Sequence, residues 1–377
     1  MNVKRVAGRS DLKHFVDLPF RLYRGDPIWV PPLKADVRKL LDPSRHPFYG
    51  GGSDAEIELF LVRDGGRVDG RIAAILNHAH NRAHDENVAF FGFFETVRDP
   101  AVAEALFGAA EEWARDKGAR AIRGPTNPST NYECGLLVEG FERPPVLMMT
   151  YNPPWYEELI EGAGYAKAKD LYAYLSPVHD DSLTRLKKLA ARTEKRNPGL
   201  MTRSADLAHF DREVAIIKEL YNAAWEKNWG FVPVSDAEFD ALAKELKNLV
   251  HPDLVRIAFI DDQPVAFILT VPDWNPVLKD LGGRPWRHPF KVVKHLLFTK
   301  AESLPGIRLI LLGIREGYRN RGIESLLFAN GIEVALNAGY EWCEYSWILE
   351  DNELTKRAVR LMGGQRDKIY RIYEKAL

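Results

Sequence analysis

Two stretches of the chain show the same succession of apolar and polar positions. In the later stretch, an apolar run over residues 307–314 indicates a buried strand, and a polar turn follows over residues 315–322. A helix begins after the turn, and Gly339 ends it. Apolar residues of this helix recur near one face: Ile323, Leu326, Leu327, Val334 and Ala338. Strand, turn and helix therefore form one unit.

Further elements flank this unit on both sides. Residues 254–271 have the strand–turn–strand pattern of a hairpin, and residues 342–348 indicate another strand. Asn352 opens a second helix, and a last strand follows over residues 368–373. The predicted order is hairpin, strand, turn, helix, strand, helix and strand.

The first half of the chain repeats this order. Its hairpin, strand, helix, strand and closing strand correspond to residues 58–76, 90–95, 100–117, 119–123 and 165–175. A polar stretch over residues 176–181 separates the two copies. We therefore predict two modules, residues 1–178 and 179–377. The predicted fold class is α/β (α+β), in which each module has a mixed, mostly antiparallel sheet flanked by helices.

The turn before the helix of the second module carries the first candidate chemistry. A strand, a basic turn with glycine and a helix N-terminus together present free backbone N–H groups, which bind phosphate. The spacing Arg319-x-x-Gly322-x-Glu324 resembles the loop with which the GNAT superfamily of N-acyltransferases holds the pyrophosphate of coenzyme A. Glu324 stands where that superfamily prefers a small residue, and its carboxylate would repel a pyrophosphate.

The resemblance and the order of elements imply that residues 200–377 include a GNAT domain that binds acyl-CoA. The implied coenzyme contacts are Leu312, Gly313, Ile314, Arg319, Asn320, Arg321, Gly322, Ile323 and Asn352. In the first module, residues 95–100 have two acids and a proline in place of the basic turn, and no glycine. Such a turn cradles a pyrophosphate poorly, so we expect the first module to bind and support the substrate instead.

The resemblance extends over nearly the whole chain. Four strings are similar to a family of bacterial tandem-GNAT proteins that includes relatives of bacterial ceramide synthase: residues 20–33, 91–95, 123–125 and 170–174. This implies transfer of an acyl group from acyl-CoA, or from an acyl carrier protein, to a primary amine, including long-chain amines of the sphingoid type. Two alternatives stay open, a small-amine acetyltransferase and a non-catalytic sensor of acyl-CoA or lipid.

Candidate catalytic residues follow from the base, oxyanion donors and acid that amide formation needs. By resemblance, backbone N–H groups of residues 312–314 supply the donors. The usual GNAT acid, a tyrosine seven residues after the helix-opening asparagine, is absent, because Val359 stands there. Side chains alternate along a strand, so we favour Tyr345 with a base from another element. The candidates are the acids Tyr345 and Tyr370 and the bases Glu133, which we favour, and Glu344.

Two loops supply candidate substrate contacts. Residues 124–135, dense in Pro, Asn and Gly, replace the helix expected after the middle strand of the first module. They follow the carboxyl end of a strand, where open sheets place ligands. Asn131 and Tyr132 are the candidates in this loop, and Trp229 is the candidate in a second, aromatic loop.

Residues 272–300 form an insertion before the motif strand of the second module. Its central part mixes aromatic and aliphatic residues with basic ones. A helix from about Pro289 would place Phe290, Val293 and Leu297 near one face. This pattern fits an interfacial segment on anionic lipid, a lid over an acyl chain, or a helix packed on the domain.

Composition narrows the class of protein. The formal net charge is −1 over 377 residues, which gives no bulk field for nucleic acid. Cys134 and Cys343 lie in different modules, so we expect no disulfide. No apolar run approaches the length of a membrane span. We therefore expect a cytoplasmic protein, with peripheral contact to the inner membrane as the further option.

Three histidines have a spacing that resembles a metal site: His78, His80 and His84. They occupy a polar turn after a strand, and no carboxylate pair beyond Asp85 and Glu86 lies near them. We therefore expect solvated histidines and no metal site.

Overall fold

The computed structural model describes residues 2–50, 55–225, 229–232 and 234–377. The strands are β1 (Asn2–Arg5), β2 (Glu56–Asp64), β3 (Arg67–Leu76), β4 (Val88–Thr96), β5 (Ala121–Gly124), β6 (Thr126–Asn127), β7 (Glu133–Cys134), β8 (Leu136–Glu139), β9 (Ala166–Pro177), β10 (Leu200–Ser204), β11 (Val255–Ile260), β12 (Gln263–Pro272), β13 (Gly306–Ile314), β14 (Trp342–Leu349) and β15 (Gln365–Ala376). The helices are α1 (Gly8–Leu22), α2 (Lys34–Leu40), α3 (His78–His84), α4 (Pro100–Asp116), α5 (Tyr156–Gly162), α6 (Asp180–Arg196), α7 (Phe210–Trp225), α8 (Asp236–Leu246), α9 (Asn275–Leu281), α10 (Pro289–Phe298), α11 (Ile323–Ala338) and α12 (Glu353–Leu361).

Thirteen of the described strands form one sheet. Its order is β1-β2-β3-β4-β5-β15-β9-β14-β13-β12-β11-β10, and β8 also pairs with β15. The pairs β4–β5 and β13–β14 are parallel, and the other described pairs are antiparallel. The predicted class, mixed and mostly antiparallel sheets flanked by helices, is confirmed.

The closing strands of the two halves lie side by side at the centre of the sheet. β9 pairs with β14 and β15, whereas β15 pairs with β5 and β9. Each closing strand therefore contacts strands of the opposite half, and backbone hydrogen bonds join the halves. The apolar pattern predicted both strands but not this exchange, because alternation specifies which face of a strand is buried and not which strand lies beside it.

Helices pack on the sheet in both halves. α4 covers part of the first half, where Phe107 lies 5.3 Å from Phe91 between ring centroids. α11 packs beside α6 on the second half, with Leu327 and Leu186 in one apolar cluster. Burial of each such side chain contributes roughly 1.5–3 kcal/mol to the stability of the fold. No helix in the described part of the chain is long and apolar enough to cross a membrane.

In each half, a bulge lies just beyond the point where the parallel strands separate. Ile310 of β13 has no partner on β12, although Leu309 and Leu311 on either side of it do. The β13–β14 ladder ends at Leu309 and Tyr345, and no register pair follows. β4 has a similar irregularity against β3, and the β4–β5 ladder ends at Phe90. In both halves, the two parallel strands therefore separate beyond their last pair, and a cavity can form between them.

Candidate active site

In the second half, the space between the diverging strands β13 and β14 contains a cavity of about 630 Å³. Residues 308–312 of β13 and 345–349 of β14 line it, together with side chains of α11 and α12. Residues 130–132 of the first half and residues 229–231 line another side. The cavity therefore lies where the two halves of the chain meet.

The turn after β13 has a row of backbone N–H groups that form no hydrogen bond within the described part of the chain. Asn320 (φ +62°) and Gly322 (φ +81°) adopt left-handed conformations, and α11 begins directly afterwards. The N–H groups of residues 320–324 donate to no other described residue. Successive free N–H groups at a helix N-terminus form a concave site for an anion. This geometry supports the phosphate site that the resemblance implied.

α6 holds the turn in this conformation. Thr193 Oγ1 donates to the carbonyl of Gly322 at 3.2 Å, and Asn197 Nδ2 donates to that of Arg321 at 3.3 Å. Because the carbonyls point towards α6, the N–H groups of the same peptide planes point away from it. A Cβ at residue 322 would lie 2.5 Å from Thr193 Oγ1, and a φ of +81° strains other residues, so this position requires glycine.

The two arginines of the turn have different surroundings. Arg319 donates to the carbonyls of Ala224 at 2.6 Å and Ile314 at 3.3 Å, which ties the turn to α7 and to the end of β13. Arg321 is exposed, and its guanidinium lies 4.9 Å from the centroid of the Tyr318 ring. Arg321 forms no ion pair within the described ranges, so its guanidinium is the freer of the two, although Arg319 and not Arg321 lines the cavity.

The remaining predicted coenzyme residues lie at different depths. Leu312, Ile314 and Asn352 line the cavity, and the side-chain oxygen of Asn352 also caps α12. The side chain of Ile323 is fully buried in the core, so only its N–H group can contact a ligand. Gly313 is buried within β13 and is not among the lining residues.

Glu324 also lines the cavity, at the second position of α11. Glu324 is close in sequence to the free N–H groups of the turn, and the negative charge of its carboxylate would repel a bound pyrophosphate. The helix N-terminus offsets part of this repulsion. The structure therefore places Glu324, the residue that departs from the superfamily pattern, in the lining of the cavity.

Both candidate acids are buried tyrosines. Tyr345 lines the cavity, and its hydroxyl lies 3.7 Å from the sulfur of Met362. Tyr370 packs against Trp347 with 6.2 Å between ring centroids, and its hydroxyl has no hydrogen-bond partner among the described residues. Burial raises the pKa of both phenols well above the usual value, so both stay protonated near neutral pH. Of the two, Tyr345 is the one that lines the cavity.

Glu133 is the more accessible of the two candidate bases. It lies on β7 between Tyr132 and Cys134, both of which line the cavity, but Glu133 itself is not among the lining residues. Although the residue is exposed, protein surrounds the carboxyl closely enough to reduce its hydration. This desolvation raises the pKa of Glu133 to about 7, against the opposing charge of Arg308. A carboxyl with such a pKa suits proton transfer near neutral pH.

Glu344 occupies a different environment. Its side chain is 1% exposed and accepts a hydrogen bond of 2.7 Å from Ser346 Oγ. Burial raises the pKa of Glu344, and Arg308 and Ser346 oppose that shift. Tyr345 lines the cavity and Glu344 does not.

Arg308 is a wall residue of the cavity that the sequence analysis missed. It is 2% exposed, and it donates to Ser346 Oγ at 2.9 Å and to the carbonyl of Leu147 at 2.7 Å. Its guanidinium also lies 5.2 Å from the ring of Trp347. The available signal was an arginine inside the apolar run 307–314, because a buried cation is costly unless it has partners.

The three predicted substrate residues all line the cavity. Asn131 Nδ2 donates to the carbonyl of Val232 at 3.3 Å, and the hydroxyl of Tyr132 donates to Glu238 at 2.8 Å. These bonds occupy polar groups of both side chains, so Tyr132 presents chiefly its ring to the cavity. Trp229 is half-buried, and Lys169 Nζ lies 5.7 Å from its ring.

In the first half, the chain itself fills the opening between β4 and β5. The carbonyl of Thr126 packs so closely on Gly92 that any Cβ there would clash with it. Asn127 Oδ1 accepts a hydrogen bond of 2.6 Å from the N–H of Phe93, at the bulge. Asp99 caps α4, which a proline without an N–H group opens. The features that form the anion site in the second half are therefore occupied or missing here.

Titration with coenzyme A is expected to give one site per chain. The free N–H groups of residues 320–324 and the cavity occur in the second half, whereas residues 126–127 fill the corresponding opening in the first. Isothermal titration calorimetry measures the stoichiometry directly. A stoichiometry of two would show that the turn at residues 95–100 binds the coenzyme after all.

The structure corrects one expectation about the histidines. His80 is buried, with its Nε2 3.0 Å from Glu86, so it is not solvated. α3 turns it inward against Phe90 of β4, with 4.9 Å between ring centroids, which the polar local sequence did not indicate. No group of three or more His, Cys, Asp or Glu residues within the described ranges could hold a metal ion. Cys134 and Cys343 are both buried and free.

Two relatives share the full length of the chain. It is 35% identical over 384 residues to bacterial ceramide synthase of Caulobacter vibrioides (strain NA1000 / CB15N), covering 100% of this chain and 98% of that protein. It is 35% identical over 382 residues to protein YghO of Escherichia coli (strain K12), covering 100% of this chain and 95% of that protein. No protein-family model matches the chain.

Solved structures share the fold. A tandem GNAT protein from the clavulanic acid biosynthesis pathway covers 100% of this chain and 98% of its own, with a TM-score of 0.59 and 13% identity. A GCN5-related N-acetyltransferase from Anabaena variabilis covers 100% of this chain and 73% of its own, with a TM-score of 0.53 and 11% identity. At these identities the likeness shows the fold alone.

The fold and the site together define an N-acyltransferase of the tandem GNAT class. The chain belongs to the family that includes bacterial ceramide synthase and YghO.

Proposed function

We propose that the protein transfers a long acyl group from acyl-CoA to the primary amine of a lipid, with sphingoid-type amines as the leading candidates. The observation that carries this proposal is the cavity between β13 and β14. It extends from the anion-binding turn, through Arg319, Asn320 and Glu324, along the apolar residues 309–312. The relative named bacterial ceramide synthase supports a lipid amine as the acceptor.

We propose that the two predicted modules have different roles. Residues 179–377 hold acyl-CoA, because the free N–H groups and the diverging strands belong to them. Residues 1–178 shape the acceptor side, because residues 130–132 line the cavity. The filled opening between β4 and β5 supports a first half without a coenzyme of its own.

In the proposed reaction, Glu133 takes a proton from the acceptor ammonium, directly or through one water. The freed amine attacks the acyl carbonyl and a C–N bond forms; the nitrogen then releases its second proton to water as the C–S bond breaks. No described strand pairs with β13 on its β14 side beyond Leu309. The N–H groups of Leu312 and Ile314 face that side and are available for the oxyanion, whereas those of Gly313 and Arg315 face β12. Tyr345 protonates the departing thiolate and is reprotonated from solvent; Tyr370 is the alternative acid.

The acyl donor has one close alternative. An acyl carrier protein presents its acyl group on the same pantetheine thioester, so the cavity suits either donor. We propose acyl-CoA, because the free N–H groups of residues 320–324 match a pyrophosphate. We further propose that the protein works in the cytoplasm and meets its lipid acceptor at the surface of the inner membrane.

Arg321→Ala is expected to weaken coenzyme A binding by roughly tenfold to a hundredfold. An exposed arginine that reaches a phosphate makes charge-assisted hydrogen bonds, and the loss of these bonds weakens binding by about this factor. Adding Arg319→Ala should weaken binding further and also lower the melting temperature, because Arg319 ties the turn to Ala224 and Ile314. Calorimetry measures both affinities.

The matched control for these variants is Arg185→Ala. Arg185 is an exposed arginine on α6, about two turns of helix before Thr193, which contacts the turn. Its loss should leave coenzyme affinity unchanged. If the double variant of Arg319 and Arg321 also bound coenzyme A normally, residues 319–322 would not form the coenzyme site.

A sensor without catalysis is the second candidate function. Val359, at the position of the usual acid, is fully buried and lines the cavity, so no acid acts from there. Release of free thiol from palmitoyl-CoA with a long-chain amine distinguishes the two functions. The acyltransferase releases one thiol for each amide formed, whereas a sensor binds palmitoyl-CoA and releases none.

A further inference from the structure

The insertion between β12 and β13 carries a helix whose apolar side faces solvent. α10 contacts the protein through its polar side, where Lys291 Nζ lies 2.7 Å and His295 Nε2 lies 3.0 Å from the carboxylate of Asp280. On other sides of the helix, Phe290 is 88% and Leu296 is 79% exposed. A surface helix of a globular protein ordinarily turns its apolar stripe inward. α10 has the reverse orientation.

The exposed apolar side chains form one group. They belong to α10 and the short turn before it, and all are more than half exposed: Trp286, Phe290, Val293, Leu296, Leu297 and Phe298. The other large exposed apolar residues of the described chain are scattered: Leu189, Met201, Leu354 and Leu361. Concentrated apolar exposure of this kind marks an interaction site. None of the six residues lines the cavity, so they do not form a lid over it.

Basic residues surround this apolar group. No Asp or Glu occurs between residues 281 and 301, although the whole chain has a net charge of −1. Arg287, Lys294 and Lys300 form no ion pair with any described residue and are exposed. The positive charge is therefore local and available to an external partner. An apolar centre with unpaired cations around it complements an anionic lipid surface.

We propose that these nine residues form a docking surface for an anionic lipid bilayer. The docking surface consists of the six exposed apolar residues together with Arg287, Lys294 and Lys300. A bilayer accepts aromatic and aliphatic side chains of different sizes without a matching pocket, and it neutralises the cations at the same time. A second copy of the chain fits less well, because a two-fold contact would bring the same cations face to face.

The base of the insertion is fixed to the first half of the chain. Lys279 Nζ donates to the carbonyl of Pro27, and the N–H of Lys34 donates to the carbonyl of Gly283 at 3.2 Å. Arg284 lies 3.2 Å from the carboxylate of Asp17. Because the insertion that carries the docking surface is fixed to the first half, and both halves line the cavity, docking would hold the cavity at one orientation to the membrane. This consequence rests on the proposed function, whereas the docking itself does not.

Co-sedimentation of the full-length protein with vesicles tests the proposal. Vesicles of phosphatidylglycerol mixed into phosphatidylcholine should bind the protein at least roughly tenfold more tightly than pure phosphatidylcholine, and added salt should reduce this difference. Phe290→Ser with Leu297→Ser should weaken binding to the anionic vesicles roughly tenfold or more. Arg287→Gln with Lys294→Gln should remove most of the preference for anionic lipid.

Met201→Ser with Leu361→Ser is the matched control, because it removes two exposed apolar side chains outside the docking surface. It should bind vesicles like the unsubstituted protein. Thiol release from acyl-CoA with a detergent-dispersed amine should be equal in all variants, which separates failed docking from failed catalysis. Equal binding to both kinds of vesicle, no binding, or a dimer in light scattering that Phe290→Ser dissociates would overturn the proposal.

Discussion

Glu133→Gln is expected to slow acyl transfer roughly 10²–10⁴-fold, the range that a positioned general base contributes. The amide keeps the size of the side chain but cannot accept the proton of the acceptor ammonium. Binding of acyl-CoA should not change, because the turn at residues 319–324 belongs to a different part of the site. Thiol release at saturating acyl-CoA measures the rate, and calorimetry measures the affinity.

The pH dependence of the unsubstituted enzyme should follow the ionisation of the same carboxyl. The surrounding protein raises the pKa of Glu133 to about 7, so the carboxyl is protonated below that pH and cannot act as a base. The value of kcat/KM should therefore rise as pH increases through about 7 and level off above it. In Glu133→Gln this step should be absent, and the residual rate should follow the ionisation of the free amine.

Loss of the carboxylate should not destabilise the fold. The folded pKa of about 7 exceeds the usual 4.5, so the fold disfavours ionisation of Glu133. The carboxylate therefore lowers stability increasingly between about pH 4.5 and 7, and by its full amount above pH 7. At pH 8, Glu133→Gln should melt at the same temperature as the unsubstituted protein or at a higher one.

Glu344→Gln is the matched comparison, because it removes the other candidate base and can still accept the hydrogen bond from Ser346. We expect it to retain most of the rate, since Glu344 is 1% exposed and bonded to Ser346, whereas Glu133 is exposed. The opposite result, a normal rate in Glu133→Gln and a lost rate in a folded Glu344→Gln, would assign the base to Glu344.

Affinity for acyl-CoA is expected to climb with chain length, from acetyl to palmitoyl, by orders of magnitude. Residues 309–312 give the cavity an apolar wall, and each buried methylene contributes roughly 0.8 kcal/mol, about fourfold in affinity. The climb should level off where the chain outgrows the cavity. Competition calorimetry with a series of acyl-CoA thioesters measures it.

Two substitutions separate the cavity from the docking surface in this experiment. Leu311→Gln places a polar group in the apolar wall and should flatten the climb. Phe290→Ser alters an exposed residue outside the cavity and should leave the climb unchanged. If acetyl-CoA bound and reacted as well as palmitoyl-CoA in the unsubstituted protein, a small-amine acetyltransferase would be the better account.

The succession of elements in both halves, and the position of the turn for which we propose anion binding, could be predicted from the amino-acid sequence. The apolar run before the turn became β13, and the helix after it ends at Gly339 as predicted. The helix of the insertion begins at Pro289, also as predicted. These features depend on local periodicity, on capping residues and on a glycine with a positive φ, all of which neighbouring residues specify.

The way in which the halves combine, and the contents of each opening, depend on tertiary contacts that the sequence pattern does not specify. The exchange of β9 and β15 joins strands that are distant in the chain, and residues 126–127 fill one opening while the other stays a cavity. The same packing brings Arg308 near enough to Glu133 to oppose its pKa shift, and it turns the apolar side of α10 outward. Periodicity along the chain states which residues share a face, but the partner of that face and the hydration of a carboxyl depend on atoms far away in sequence.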